Sequence, residues 1–562
     1  LICILVMAST IEIGAQGRDL DPVVVTGAAL PAFAGAPPAK IVAFRHDQGW
    51  AQIPVQVDER AVVSFAQIRQ KPRYTASALV YTDPLTWTGA DPVPAFDADD
   101  ELVFMARDAG GPAPAGRPRG VTTGPGQVVA VVDPLGGPVR YVYLFLSDGS
   151  LGPGAGRDYA SYAFNLLSGG YKQTYKLSGN NPEDSFGRTA RYEVHFADRW
   201  ILDRTRLLTK GSSGVDILDR HKFQFAPGNC NRTTDTFSAG GGAMIANKDG
   251  PVRAIRSVVG ANSGVITQRD WYLYEGRMDT STFLRVHAIG GTFNFYDFSP
   301  AATGMRYHDN LNPGGVTVDG KPDSVAFGVL EWQMVTGPQG SLTMAFRRDT
   351  DIPSGKIKDG SFYDDDLTPS WSQCTGDPYA YAASGPTTGG LPNLDPLRGP
   401  ANRLTLHRIG YYDEPGLTVT RAAARAREAR QPLEGRTVHL HGDGGGRIGG
   451  TLTLRLVAAD SVGLPYRVGS SLGAGPIPID SRTLGLSPDG LLWVSVAGAL
   501  PAVFAGYAGT IDARGEARAA VHVPVLPVLA GLKIHSAFVT VDPGSPSGIR
   551  AISNTFAFSI VR

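Results

Sequence analysis

The feature that most limits what this chain can fold into is its punctuation. Short runs rich in Val, Ile, Thr, Tyr and Phe, such as "KIVAF", "ELVFMA", "GQVVAVV" and "RYVYLFL", are cut again and again by glycine and proline. Gly 70 and Pro 41 make up about a fifth of the 562 residues, against an average of roughly 12%. They are scattered as single breaks, which excludes a collagen repeat and a single low-complexity tail. In a helix interior each glycine costs about 1 kcal/mol and each proline about 3 kcal/mol relative to alanine, so long helices are disfavoured along most of the chain. Short extended runs between turns are the pattern of strands. The expected fold class is therefore all-β: multidomain β-sandwiches with one short connector helix. Hydrophobic residues at 42% allow each domain its own core.

Shifts in strand length and composition divide the chain. Residues 17–155 read as a front β module that ends near the Gly/Pro-rich "SDGSLGPGAGRD". Residues 156–418 carry longer, more aromatic strands ("ARYEVHF", "WYLYEG", "GTFNFYDF", "LTMAFRR") and read as a large central β-sandwich. "TRAAARAREARQPL" is built from strong helix formers, with Thr420 as a candidate N-cap and Pro432 as a stop, and makes 419–435 a helical connector. Residues 436–562 are apolar, Gly-rich and sparsely charged, with "LLWVSVA", "RAAVHVP" and "LKIHSAFVTV" as strands of a C-terminal β-sandwich.

Charge and the chain ends bound the setting. Lys+Arg 52 balance Asp+Glu 52, which removes the bulk electrostatic case for nucleic acid or an anionic membrane. Residues 1–16, "LICILVMASTIEIGAQ", are an apolar run followed by small residues. They read as a truncated signal peptide, the alternative being an N-terminal core strand. The run is too short for a hydrocarbon core of about 30 Å, so no transmembrane segment is expected. The expectation is a secreted protein, extracellular or at the cell surface. Beyond Cys3 the chain has Cys230 and Cys374, both in loop-like contexts; either they close one long disulfide loop or they are two thiols too far apart to bridge.

A resemblance supports export. "LGLSPDGLLWVSV", "TIDARGEARAAVHVPVLPVLAGLKIHSAFVTVDP" and "AISNTFAFSIV" resemble the C-terminal β-sandwich module of large, uncharacterised secreted proteins of environmental bacteria, and "GWAQIPVQVDER" with "FDADDELVFMARDAG" resembles a front module of such proteins. The resemblance implies surface or extracellular placement and no known catalysis.

Three constellations carry candidate chemistry. In "FDADDELVFMARDA" four carboxylates, Asp97, Asp99, Asp100 and Glu101, precede an apolar strand. Calcium needs about six to eight oxygen ligands, so a Ca²⁺ site here requires others, with Asp58, Glu59, Asp83 and Asp91 as candidates; otherwise the loop is a solvated strand entry. Asp364 to Asp366, and Asp319 with Asp323, read as acidic turns. In the central region the two-residue period puts Arg191 and His195, Arg285 and His287, and Arg403 and His407 on polar strand faces. In one sheet these faces would make a cationic groove, with Trp200, Trp271, Tyr272 and Tyr274 as carbohydrate-stacking platforms. The alternative is an ordinary solvated sheet face. Two motif matches are discounted: "GSSLG" around Ser471 runs into Pro476 and Pro478 instead of the helix a nucleophile elbow needs, and "HLHGDGGG" offers His439 and His441 without a third ligand. The functional expectation is a glycan-binding or structural protein stabilised by Ca²⁺, whose partner is a polysaccharide or cell-surface glycan. The alternative is a polysaccharide lyase or glycoside hydrolase using the Arg/His face.

Overall fold

A computed structural model of the chain describes residues 18–69, 76–114, 116–124, 126–168, 180–225, 232–260, 267–368 and 381–562. The leader-like segment 1–16 and both Cys230 and Cys374 lie outside the described residues. The fold is all-β, and its sheets are paired antiparallel throughout the named strands.

In the front module a three-stranded sheet (Pro22–Thr26, Glu101–Met105, Gln56–Asp58) packs on a five-stranded sheet (Glu434–Arg436, Gln127–Val132, Arg140–Leu146, Ile41–His46, Trp50–Ile53). Alternation sends Val23, Val25, Leu102 and Phe104 from one sheet, and Val129, Val131, Val142 and Leu144 from the other, into one core. The apolar half of the acidic-loop sequence is thus a buried strand.

The central region is built on a nine-stranded sheet. Its middle strands, in spatial order, are Ala254–Val259, Gln268–Tyr274, Arg277–Phe283, Leu404–Asp413 and Gly340–Thr350. Two four-stranded sheets cover its inner face: one holds Tyr192–Asp198, and the other holds Leu218–Phe225 and Ile289–Phe298. Val194, Phe196, Phe223 and Tyr296 meet Val258, Trp271, Leu273 and Met344 in a single core.

Val419–Arg430 is the expected helix, capped by the Thr418 hydroxyl, which accepts a hydrogen bond from the Arg421 amide at 3.2 Å. It is not a free connector. Ala422, Ala426 and Ala429 lie on one face and pack onto Trp332, Met334, Ala345, Ile409 and Tyr411 of the nine-stranded sheet. Small side chains let the helix sit close to the sheet. The chain then returns to the front module, where Leu433 enters the core and Glu434–Arg436 pairs with Gln127–Val132.

The C-terminal module is a sandwich of Val438–Asp443, Thr451–Ala458, Glu516–His522 and Phe504–Ala505 against a sheet centred on Pro465–Ser471 and Lys533–Val541. One expectation is corrected here: "LLWVSVA" is not a strand but the helix Gly490–Val496. Asp489 is its N-cap, its carboxylate accepting from the Leu492 amide at 3.0 Å. The described residues hold four short helices rather than one.

Candidate functional site

The outer face of the nine-stranded sheet is where three parts of the chain meet. The same alternation that buries Trp271 and Leu273 turns Asp270, Tyr272 and Tyr274 outward. Strand register then sets them in rows: Asp270 opposite Ser281, Ser281 opposite His407 and His407 opposite Arg347; Tyr272 opposite Asp279 and Asp279 opposite Ile409; Tyr274 opposite Arg277 and Arg277 opposite Tyr411. Pro22 and Val24 of the front module, with Tyr81, Glu101 and the end of the connector at Ala429, Pro432 and Leu433, wall this floor. The result is a groove of about 330 Å³ into which Tyr272, Asp279, Ser281, Arg347 and His407 open.

Two buried arginines brace the walls. Arg253 donates from Nε to Asp58 at 2.9 Å, from Nη2 to Glu101 at 2.6 Å and from Nη1 to the Tyr274 hydroxyl at 3.1 Å. Arg60 and the Tyr81 hydroxyl also donate to Glu101, at 2.7 and 2.8 Å. Burial by itself would raise the Glu101 pKa, but Arg253 and Arg60 outweigh it and hold the carboxyl below its ordinary value. Arg277 grips Asp279 with two bonds, 2.7 and 2.8 Å, and reaches Asp21 at 2.9 Å. Burial pushes the Tyr81 and Tyr272 phenols well above their ordinary range, so both stay neutral. Burial, then Arg347, lowers the His407 pKa, with Asp349 opposing.

The common Arg/His face does not form. His195 is buried on Tyr192–Asp198, a strand of a different sheet, and is held between Asp203 at 2.6 Å and Asp184 at 3.1 Å. Arg191 donates to the Tyr412 carbonyl at 2.9 Å and pairs with Asp413, tying sheets together. Arg285 and His287 lie beyond the end of Arg277–Phe283; Arg285 reaches Gln268 at 3.3 Å, and His287 bonds the Ala288 carbonyl at 2.8 Å. Of the six Arg/His candidates only His407 lines the groove. A two-residue period reports which side of a strand a residue takes, and says nothing about which sheet the strand joins. The stacking candidates divide likewise: Trp200 and Trp271 are sealed in the core at 1% and 0% exposure, while Tyr272 and Tyr274 line the groove. Ser471 is buried and bonded to the Gly473 carbonyl at 2.7 Å.

The acidic loop does gather. Asp97, Asp99 and Asp100 bring carboxylate oxygens to within 4.8 Å of one another. Glu101 and Asp58 are turned away onto Arg253, and Asp83 accepts from the Asn247 and Leu85 amides at 2.9 and 2.8 Å. Asp91 is outside the cluster of Asp97, Asp99 and Asp100 but acts on it by charge: it is 9% exposed, its Oδ2 is buried with no partner among the described residues, and its charge bears on Glu59, Asp99 and Asp100. Asp99 Oδ1 is likewise buried and has no partner among the described residues. Burial, the bond from Asp97 and the charges of Asp97, Asp100 and Asp91 raise the Asp99 pKa to about 6.

Ser281, Asp279, Asp349, Arg253 and Tyr81 escape sequence reading. Asp279 and Ser281 share the strand Arg277–Phe283, but Asp349, Arg253 and Tyr81 come from other parts of the chain, and only register and packing bring them to one place. A polar residue at every second position of "RMDTSTF" was the available signal for Asp279 and Ser281.

No protein-family model matches the chain, and no curated protein matches its sequence. Among solved structures, a putative aldose 1-epimerase from Escherichia coli K12 aligns at 10% identity and a TM-score of 0.22, covering 44% of this chain and 99% of that one. The native conformation of E. coli alpha-2-macroglobulin aligns at 8% identity and a TM-score of 0.15, covering 93% of this chain and 35% of that one. Likenesses of this size carry no argument about activity.

Proposed function

We propose that the protein is an exported, extracellular or cell-surface β protein that binds a glycan in the groove over the nine-stranded sheet. The observation that carries this reading is the juxtaposition of Tyr272 with Asp279, His407 and Arg347 on one groove floor. Sugar rings have apolar CH faces and hydroxyl rims. A tyrosine ring accepts the first, and planar carboxylate and guanidinium groups satisfy the second. The groove volume, about 330 Å³, falls at the lower end of the roughly 300–1,000 Å³ of small-ligand sites, which suits a short stretch of polysaccharide. Export rests on the leader-like 1–16 and on the module resemblance. On a glycan array, Tyr272→Ala is expected to lose about tenfold or more in affinity, the equivalent of about 1.4 kcal/mol, with its melting temperature kept. Wild-type affinity in that variant would remove the groove from the reading.

The second part of the proposal is a Ca²⁺ ion at Asp97, Asp99, Asp100 and Asp91. Two buried carboxylate oxygens without partners, on Asp91 and Asp99, support it, since calcium takes oxygen ligands of this kind. Without the ion, the raised Asp99 pKa means that the folded state holds a proton the unfolded state has released. Apo stability therefore falls as pH rises from the ordinary carboxyl range through about 6. Calcium removes that cost. At a concentration of about 100 Kd it should add roughly 2.7 kcal/mol, with the gain shrinking as pH drops below about 6. Melting curves with calcium and with chelator, taken on both sides of that pH, check it; identical curves count against the ion.

A further inference from the structure

We propose that Ser281, His407 and Asp349 form a nucleophile, base and orienting carboxylate, and that the groove hydrolyses acyl esters, the O-acyl group of a substituted glycan being the substrate class. The substrate class rests on the glycan reading above; the serine chemistry does not.

The three residues lie on adjacent strands, Arg277–Phe283, Leu404–Asp413 and Gly340–Thr350, with His407 on the middle one. Ser281 is directly opposite His407, and Asp349 is two residues beyond Arg347, the residue opposite His407 on the other side, so all share the groove face. Ser281 Oγ is 2.9 Å from His407 Nδ1, and His407 Nε2 is 2.9 Å from Asp349 Oδ2. An ionised carboxylate only accepts. Asp349 therefore holds the hydrogen on Nε2 and leaves the Nδ1 lone pair facing the serine hydroxyl. That is the tautomer a general base requires. The ring is used in the opposite sense from the chymotrypsin arrangement, but either nitrogen of a neutral imidazole can take the proton while the other keeps its hydrogen bond. The groups facing the ring are Ser281, Arg347, Asp349 and, by charge, Asp279; burial with Arg347 keeps the imidazole neutral near neutral pH.

An acyl transfer also needs a donor for the developing oxyanion. Arg253 and Arg277 are committed to carboxylates. Arg347 is not fully used: its Nε has no hydrogen-bond partner among the described residues, and its Nη2 lies 3.4 Å from Asp349. It opens into the same groove and is the candidate oxyanion donor. In the reaction Ser281 Oγ bonds to the acyl carbon and its proton passes to His407 Nδ1. The tetrahedral intermediate then breaks its bond to the sugar oxygen, which leaves with that proton as the free hydroxyl. Water, deprotonated by the same nitrogen, cleaves the acyl-serine to carboxylic acid and Ser281. No oxidant or other co-reactant is required.

The full chain is treated with a fluorophosphonate probe, the labelled residue is mapped by mass spectrometry, and p-nitrophenyl acetate turnover is followed in parallel. Labelling at Ser281 and turnover are expected, with turnover falling roughly 100- to 10,000-fold in His407→Gln and lost in Ser281→Ala. As a positioning residue, Asp349 has a separate signature: Asp349→Asn should lower the rate and shift the acid limb of the pH profile while leaving the melting temperature in place. An unlabelled Ser281 in folded protein overturns the proposal, and so does labelling that His407→Gln leaves unchanged. Labelling at Ser281 in a protein that binds no glycan supports the serine chemistry and overturns only the glycan assignment. Glycan binding without labelling does the reverse.

Discussion

Arg253→Ala is expected to lower the unfolding free energy by about 3–5 kcal/mol, because it strands two carboxylates in a buried site. Arg253 is 2% exposed and Asp58 1%. The same site joins two parts of the chain: Gln56 Oε1 accepts from the Val252 and Arg253 amides at 3.1 and 3.0 Å, and Gln56 Nε2 donates to Asp58 at 2.9 Å. Arg253 is thus a central tie between the front module and the central sheet, alongside the Arg277–Asp21 pair. Chemical denaturation should show the loss, and heating should separate the front module's transition from the main one. Adding Asp58→Asn and Glu101→Gln to Arg253→Met should recover most of the stability, since no uncompensated charge is then left. The acid limb carries the same information. The folded pKa of Glu101 is depressed, so its contribution is present above the unfolded value, about 4.3, and is lost as pH falls through the folded one. In Arg253→Ala this part of the acid dependence should weaken. A variant as stable as wild type would mean that the seam is held elsewhere.

The second large effect has the opposite sign. Arg269→Met is expected to stabilise the protein by an amount on the order of the 1–4 kcal/mol seen when buried ion pairs give way to apolar side chains of similar volume, because here the desolvated charge has no carboxylate to offset it among the described residues. Arg269 and Arg408 are 0% and 2% exposed on the inner face of the nine-stranded sheet. Arg269 donates from Nε to Thr282 at 2.9 Å, but its Nη1 and Nη2 have no partner among the described residues. Arg408 reaches Asn294 at 2.7 and 3.0 Å and leaves Nε and Nη1 unused. Among the described residues no carboxylate acts on either. Burial, then the charge of Arg408, pushes Arg269 down to about 9; burial pushes Arg408 down to about 10. Rings of Trp200, Phe223 and Trp271 lie 4.9–5.6 Å from the Arg269 guanidinium, worth roughly 0.5–2 kcal/mol each, which offsets part of the desolvation. Because the folded pKa is lowered, the unfolded state binds more protons above about 9, so wild-type stability rises with pH there and the advantage of Arg269→Met narrows. A less stable Arg269→Met would show that the three rings hold the cation at no net cost.

Both predictions concern residues that no sequence pattern singled out, and the reason is the same for each. Arg253 immediately precedes the strand Ala254–Val259, and Arg269 sits in Gln268–Tyr274 between Gln268 and Asp270, so neither stands out from its local sequence. What distinguishes them is the presence of Asp58 and Glu101 opposite one, and the absence of any carboxylate opposite the other. "LLWVSVA" shows the complementary limit, a local one: its apolar content suits a strand, but the Asp489 cap ahead of it favours a helix, and the helix formed.

Alternation and turn spacing by themselves determined the all-β class and the buried Leu102–Ala106 stretch, and helix propensity determined the helix at Val419–Arg430. All of these are set by interactions within a few residues along the chain. Whether the carboxylates of Asp97, Asp99 and Asp100 converge is left open by the sequence. Which strands became neighbours is a different matter. His195 went to one sheet and His407 to another, Trp271 was turned into the core while Tyr272 joined the groove floor, and Ser281 came opposite His407 across 126 residues of sequence. Cross-strand register depends on how whole apolar faces fit against each other, and that is decided only when the sheets pack.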